Sequence, residues 1–191
     1  MDRNDAWALV EEFVETDRLK RHAIAVEAAM RAFARKENED EDLWGVVGLL
    51  HDFDFEACPT PEDHPTFGAK ILTDRECPEN IVRAILSHAN HTGVTRDSVM
   101  EKALFATDEL SGFITAVALV RPSKSLSDTT PKSVKKKMKD KAFARAINRD
   151  DIIQGAEELN IDLDELIQFV IDSLNLSQAN LDFPLPNISS G

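Results

Sequence analysis

Five histidines, His22, His51, His64, His88 and His91, all fall in the first half of the chain, and His51 is followed directly by Asp52 in the stretch LLHDFDFE. Imidazole nitrogens and carboxylate oxygens together suit a divalent transition metal such as Mn, Fe, Ni, Co or Zn; Mg, which prefers oxygen, suits them less. A histidine and an acid set directly behind Leu49 and Leu50 are costly to bury unless they are hydrogen-bonded or bind something. Asp54 and Glu56 continue the acidic run. Each could accept a proton in catalysis, orient an attacking water or hold a ligand histidine in place. The plain alternative is a pair of solvated loop acids.

The elements that must carry these residues are helical. Trp7, Val10, Phe13 and Val14 keep helical spacing. A second helix is expected from about Asp17 to Lys36, and a third from Glu39–Asp42 through Val46, Val47 and Leu50 to the His51–Asp52 pair. Adjacent helical residues point about 100° apart, so these two side chains converge only near a helix end. CPTPEDHP is a loop, after which a helix starts with Asp63 or His64 near its cap and Pro65 in its first turn. Pro78 opens a further helix carrying Ile81, Ile85 and His88, and Gly93 suits its stop. Ser98 to Val120 is one long, largely buried helix, ended by Arg121-Pro122. KSVKKKMKDKAFARAIN carries an apolar stripe of Val134, Met138, Ala142 and Ile147. Another helix follows Arg149-Asp150, and LDELIQFVIDSL forms the last. No strand-type alternation stands out, so the fold class is all-α.

His22, then His51-Asp52, then Asp108 give the order H…HD…D on helices, which resembles the HD-domain superfamily of metal-dependent phosphohydrolases. AILSHANHTG followed by MEKALFATDEL is similar to the family segment that carries a histidine, a short loop and the last metal-binding aspartate. HPTFGAKIL resembles the helix that supplies another histidine in two-metal members. The resemblance spans residues 20–115 and implies a bundle of seven to nine helices. Carried over, it implies one metal held by His22, His51, Asp52 and Asp108, with Asp52 bridging to a second ion completed by His64 and His88. One ion or two stays open, because His64 also reads as a cap residue before Pro65. His91, three residues after His88, is a second-layer or substrate contact or a surface residue; Glu109 is a partner of Asp108 or a solvated acid. Some nucleotidase members carry a catalytic acid three residues after the HD aspartate; Phe55 stands there, so that role does not transfer. The implied activity is hydrolysis of a phosphomonoester or phosphodiester, in a small nucleotide or related phosphate. A non-catalytic metal- and nucleotide-binding sensor is the alternative.

Length and charge set the remaining bounds. The 191 residues suit one sizeable core. We expect residues 1–120 to form the metal-binding core, 121–176 to add C-terminal helices to the same domain, and 177–191 to be an extended or disordered tail. The net charge is −13, yet residues 121–149 alone carry +8 and leave −21 on the rest. So acidic a body does not suit nucleic acid as a partner, and a nucleic-acid-binding or -cleaving role for the lysine-rich helix is the least favoured reading. The basic segment instead offers Arg121, Lys124, Lys135 and Lys136 (with Lys137) as groups for substrate phosphate, against the plain reading of a solvated lysine face. No window approaches the apolar length of a membrane span. The acidic start MDRNDAWALVEEF lacks signal-peptide features, and two cysteines, Cys58 and Cys77, are too few for a disulfide framework. A cytoplasmic location is therefore expected.

Overall fold

Each long helix begins where the sequence supplies a cap. The computed structural model describes residues 1–180 apart from Pro59 and Pro61. Asp2 caps α1 (Arg3–Phe13), and Thr16 caps α2 (Asp17–Glu37). Asp40 caps α3 (Glu41–Leu50). The Ser98 hydroxyl and Glu101 carboxylate form a reciprocal capping box on α6 (Val99–Leu119). α4 (Thr66–Asp74) and α5 (Glu79–Ser87) lie between, with a single 3-10 turn at Asn90–Thr92. α7 (Pro131–Met138), α8 (Arg149–Glu158) and α9 (Leu163–Asn180) complete the chain. Among the described residues there are nine helices and no strand, so the class is all-α. No helix among them is long and apolar enough to cross a membrane.

α2 and α6 form the centre. Leu19, Ala23, Val26, Met30 and Phe33 repeat at alternating steps of four and three, and none is more than 4% exposed. This stripe faces α3, α6 and α9. α6 is apolar around most of its circumference, with Leu104, Leu110, Phe113 and Ile114 fully buried. Each such side chain contributes about 1.5–3 kcal/mol relative to exposure. α8 crosses α6, while α7 and α9 pack on each other and on α6. Gly48 sets the spacing of α3 on α2: a Cβ there would lie 2.9 Å from both Cα and N of Glu27.

Two stretches differ from the sequence expectation. The helix expected across KSVKKKMKDKAFARAIN stops at Met138. Asp140 Oδ1 accepts the N–H groups of Ala142 and Phe143, forming a side-chain turn, and Ala144 has a left-handed backbone with φ 43°. The Arg149 guanidinium then donates to the carbonyls of Phe143, Ala144 and Ile147, which a continuing helix would have needed for itself. At the other end, α9 continues to Asn180, past residue 177 where the tail was expected to begin; no glycine or proline intervenes. The remainder of the expected tail, 181–191, lies outside the described residues.

Candidate metal centre

Three helix ends and two helix interiors bring the histidines and acids together. His22 lies in the second turn of α2, Asp108 in the middle of α6, and His51 and His88 are the first residues past the ends of α3 and α5. Asp52 follows in a run of turns, and His64 stands just ahead of α4. They form two groups whose ligating atoms lie within 4.8 Å of one another: His22, His51, Asp52 and Asp108, and Asp52, His64 and His88.

The first group closes around four inward atoms. His22 Nε2 is 3.1 Å from His51 Nε2 and 3.0 Å from Asp108 Oδ1. His51 Nε2 is 3.3 Å from Asp108 Oδ1 and 3.4 Å from Asp52 Oδ2. The second group uses the other oxygen of Asp52: its Oδ1 is 3.0 Å from His64 Nε2 and 3.5 Å from His88 Nε2. The two rings' Nε2 atoms are 3.3 Å apart. Asp52 therefore turns one oxygen to each group.

Helix ends dictate which nitrogen faces inward. The last carbonyls of a helix lack intrahelical partners. His51 Nδ1 donates to Gly48 O at 2.8 Å, and His88 Nδ1 donates to Ile85 O, each three residues back. His64, in a loop, has Nδ1 on Asp54 Oδ1 at 2.8 Å instead. With Nδ1 so engaged, a neutral ring presents only the Nε2 lone pair inward. Lone pairs and carboxylate oxygens crowded this closely require positive charge between them. In the metal-free protein protons supply it. Burial opposes the charged ring of His51, yet Asp52 and Asp108 outweigh burial and hold its pKa well above the ordinary imidazole value. For His64 burial is likewise overcome, by the hydrogen bonds its ring donates to Asp52 and Asp54, and the pKa rises to about 9. Asp52 and Asp108 are held below the usual carboxylate range, because their histidine partners outweigh the cost of burial. A divalent ion with nitrogen and oxygen ligands answers the same need, so the residues fit the metal that the sequence implies.

The other residues singled out in the sequence fall around these groups. Asp54 is fully buried, with Oδ1 on His64 and Oδ2 accepting the Gly68 N–H at 2.7 Å. Of the roles open to it, holding a histidine matches this placement; a proton acceptor in catalysis would need solvent or substrate at its oxygens. Glu56 lies in neither group. Its carboxylate accepts the backbone N–H groups of Glu15 and Thr16 and the Thr16 hydroxyl, tying the post-α3 turns to the α1–α2 junction. His91 shares no helix with His88: α5 has ended, and His91 Nε2 donates to the backbone carbonyl of His64 at 2.6 Å. Glu109 is half-buried beside the first group. Burial and the charge of Asp108 push its carboxyl up to about 8, against a hydrogen bond from the Asn148 backbone.

Two of the basic residues expected near phosphate are engaged in ion pairs. Leu119, at the end of α6, is about 17 Å from Asp108 at 1.5 Å per residue, and Arg121 beyond it pairs with Asp128 at 3.1 Å. Lys124 belongs to the same turn. Lys135 pairs with Asp164 at 2.8 Å, and Lys136 is exposed on the same short helix. Part of the basic stretch, expected as helix, instead forms a loop that reaches the first group. It is the α7–α8 loop, residues 139–148. A Cβ placed on Gly112 would lie 3.5 Å from Ile147 Cδ1 and 3.8 Å from His22 Cε1, so Ile147 sits beside the first group. Phe143 packs edge-on to Phe113 of α6 at 5.5 Å. The Asn148 backbone bonds Glu109.

The model of the HD domain family matches residues 19–175. No curated protein and no solved structure matches the chain. Since the family match covers most of the chain and takes in both His/Asp groups, this protein belongs to the HD domain family.

Proposed function

We propose that this protein is a metal-dependent phosphohydrolase that cleaves a phosphomonoester or phosphodiester bond in a small nucleotide or related phosphate. The observation that carries the reading is the division of Asp52, with Oδ2 facing His22, His51 and Asp108 and Oδ1 facing His64 and His88. His22, His51, Asp52 and Asp108 would hold one divalent ion; Asp52, His64 and His88 would hold a second. A metal bound there supplies Lewis acidity, neutralising phosphoryl oxygens and making hydroxide available near neutral pH.

The chain's own residues determine the approach. His51 and His88 lie behind the site, with side chains 0% and 4% exposed, whereas those of His22 and Asp108 are each 18% exposed. Substrate therefore enters over His22 and Asp108, the side bordered by Ile147 and the α7–α8 loop. Lys139, Lys141 and Arg145 on that loop are exposed and pair with no acid among the described residues, so they are the cations we assign to the substrate's phosphate.

The test is a screen of the full chain with Mn, Fe, Ni, Co, Zn and Mg against mononucleotides, dinucleotides, cyclic nucleotides and a generic phosphodiester. Phosphate ester cleavage that is lost in Asp52→Ala supports the reading. Unchanged cleavage in Asp52→Ala, or no metal uptake by the wild type, refutes it.

A further inference from the structure

The two groups are unequal in charge. The first has two histidines and two carboxylates, Asp52 and Asp108; the second has two histidines and only the remaining oxygen of Asp52. Behind the second group stands a third acid. Asp54 is fully buried and has no Lys or Arg partner among the described residues; its one ion-pair contact is His64 Nδ1 at 2.8 Å. A buried carboxylate without a permanent cation is costly. We propose that Asp54 is the positioning residue of a second metal position, fixing His64 as an Nε2 ligand and supplying the negative charge that the His64–His88 side lacks. This rests on the metal reading of the two groups.

Three features support the assignment. His51 and His88 obtain their orientation from helix-end carbonyls, but His64 lies in a loop and precedes Pro65, so no helix carbonyl is placed to accept its Nδ1 proton. A carboxylate in that position also makes the imidazole a stronger donor. Asp54 is itself fixed. Its Oδ2 accepts the Gly68 N–H at 2.7 Å, one of the unpaired amides of the first turn of α4, whose N-cap residue Pro65 offers no side-chain cap. Gly68 permits this approach, since a Cβ there would lie 2.8 Å from Asp54 Cγ and 2.9 Å from Phe53 Cε1. Finally, His91 Nε2 donates to the His64 backbone carbonyl, so both the ring and the main chain of His64 are restrained.

The experiment is titration of the metal-stripped full chain with Mn2+ or Co2+ alone, read by calorimetry and by Co2+ absorption, for wild type, Asp54→Asn, His64→Ala and the double variant. Wild type is expected to bind two equivalents. Asp54→Asn should weaken the second about 10- to 100-fold and leave the first unchanged. His64→Ala should lose the second equivalent, and adding Asp54→Asn should then change nothing further. A variant that merely loosened the fold would weaken both equivalents together. Two equivalents of unchanged affinity in Asp54→Asn overturn the proposal, as does a further loss of first-equivalent affinity in the double variant. A single equivalent in the wild type overturns it too, while the hydrolase reading then stands on one metal. If the second equivalent behaves as stated but no phosphate ester is cleaved, the hydrolase reading falls and this assignment holds.

Discussion

Loading the centre with metal should expel close to two protons at pH 7.5, one from each group. His64 has its pKa raised to about 9, so at pH 7.5 the protonated ring outnumbers the neutral one by about thirty to one. His51, held well above the ordinary value by Asp52 and Asp108 in spite of burial, starts protonated as well. A metal takes the neutral ring, so both protons must leave. The aspartates contribute none, being already ionised. Calorimetry of Mn2+ binding in buffers of differing ionisation enthalpy gives the number directly, as the slope of apparent enthalpy against buffer enthalpy. The slope should approach two at pH 7.5, and the share due to His64 should disappear above about pH 10, where that ring is neutral beforehand. The 15N shifts of the imidazoles in Asp52→Asn provide the control. With the carboxylate that both histidines share removed, His51 and His64 should titrate closer to the ordinary imidazole range. A slope near zero at pH 7.5 in the wild type would refute the picture of converging Nε2 atoms held apart by protons.

The same shift has a consequence for stability. A raised histidine pKa stabilises the fold below the unfolded value and loses that effect as pH climbs through the folded value. The metal-stripped protein should therefore lose up to about 3 kcal/mol between pH 6.5 and pH 9.5 from His64 alone, whereas a metal-saturated sample should not; thermal melts with and without chelator make the comparison. Gly48→Ala drives a Cβ to within 2.9 Å of the α2 backbone and should cost about 1–3 kcal/mol, read as a lower urea midpoint. Arg145→Gln should raise KM several-fold at low salt with little change in kcat, while Arg121→Gln, whose guanidinium is paired with Asp128, should leave both unchanged. Equal effects of the two substitutions would contradict the assignment of the α7–α8 loop to phosphate.

Periodicity and caps made most of the helices legible. α2, α3, α5 and α6 begin close to where Asp17, Asp40, Pro78 and Ser98 place them, although α5 stops at Ser87, short of His88 and Gly93. The ordered set His22, His51-Asp52 and Asp108 was legible too, together with the requirement that the pair stand at a helix end. What stayed hidden rests on contacts distant in sequence. Whether Asp54 faced solvent depended on Gly68, fourteen residues on, and Glu56 found its partners forty residues back at Glu15 and Thr16. In the α7–α8 region Val134, Met138 and Ala142 keep a four-residue spacing that suggests a continuing helix. Asp140 and Arg149 override it by hydrogen-bonding the backbone groups that a helix would use. Lysine density marks α7 in the sequence, but density says nothing about which cations are paired, as Lys135 is with Asp164.

The arrangement also explains why His51 and His88 stand at helix ends. A histidine inside a helix finds its neighbours' carbonyls committed to the i+4 amides, so its Nδ1 must look elsewhere for an acceptor. One residue past the end, the carbonyl three residues back is free. His51 and His88 use that opportunity in the same way, through Gly48 O and Ile85 O. The orphan carbonyl gains a donor, and the ring gains a fixed tautomer with Nε2 directed inward. An unsatisfied helix end is thereby converted into metal-site preorganisation without a dedicated acid. His64, in its loop, has no such carbonyl, and this is where the chain spends a buried carboxylate, Asp54. Substituting Asp54 should therefore separate the two metal positions in affinity, whereas substituting Asp52, which faces both, should abolish them together.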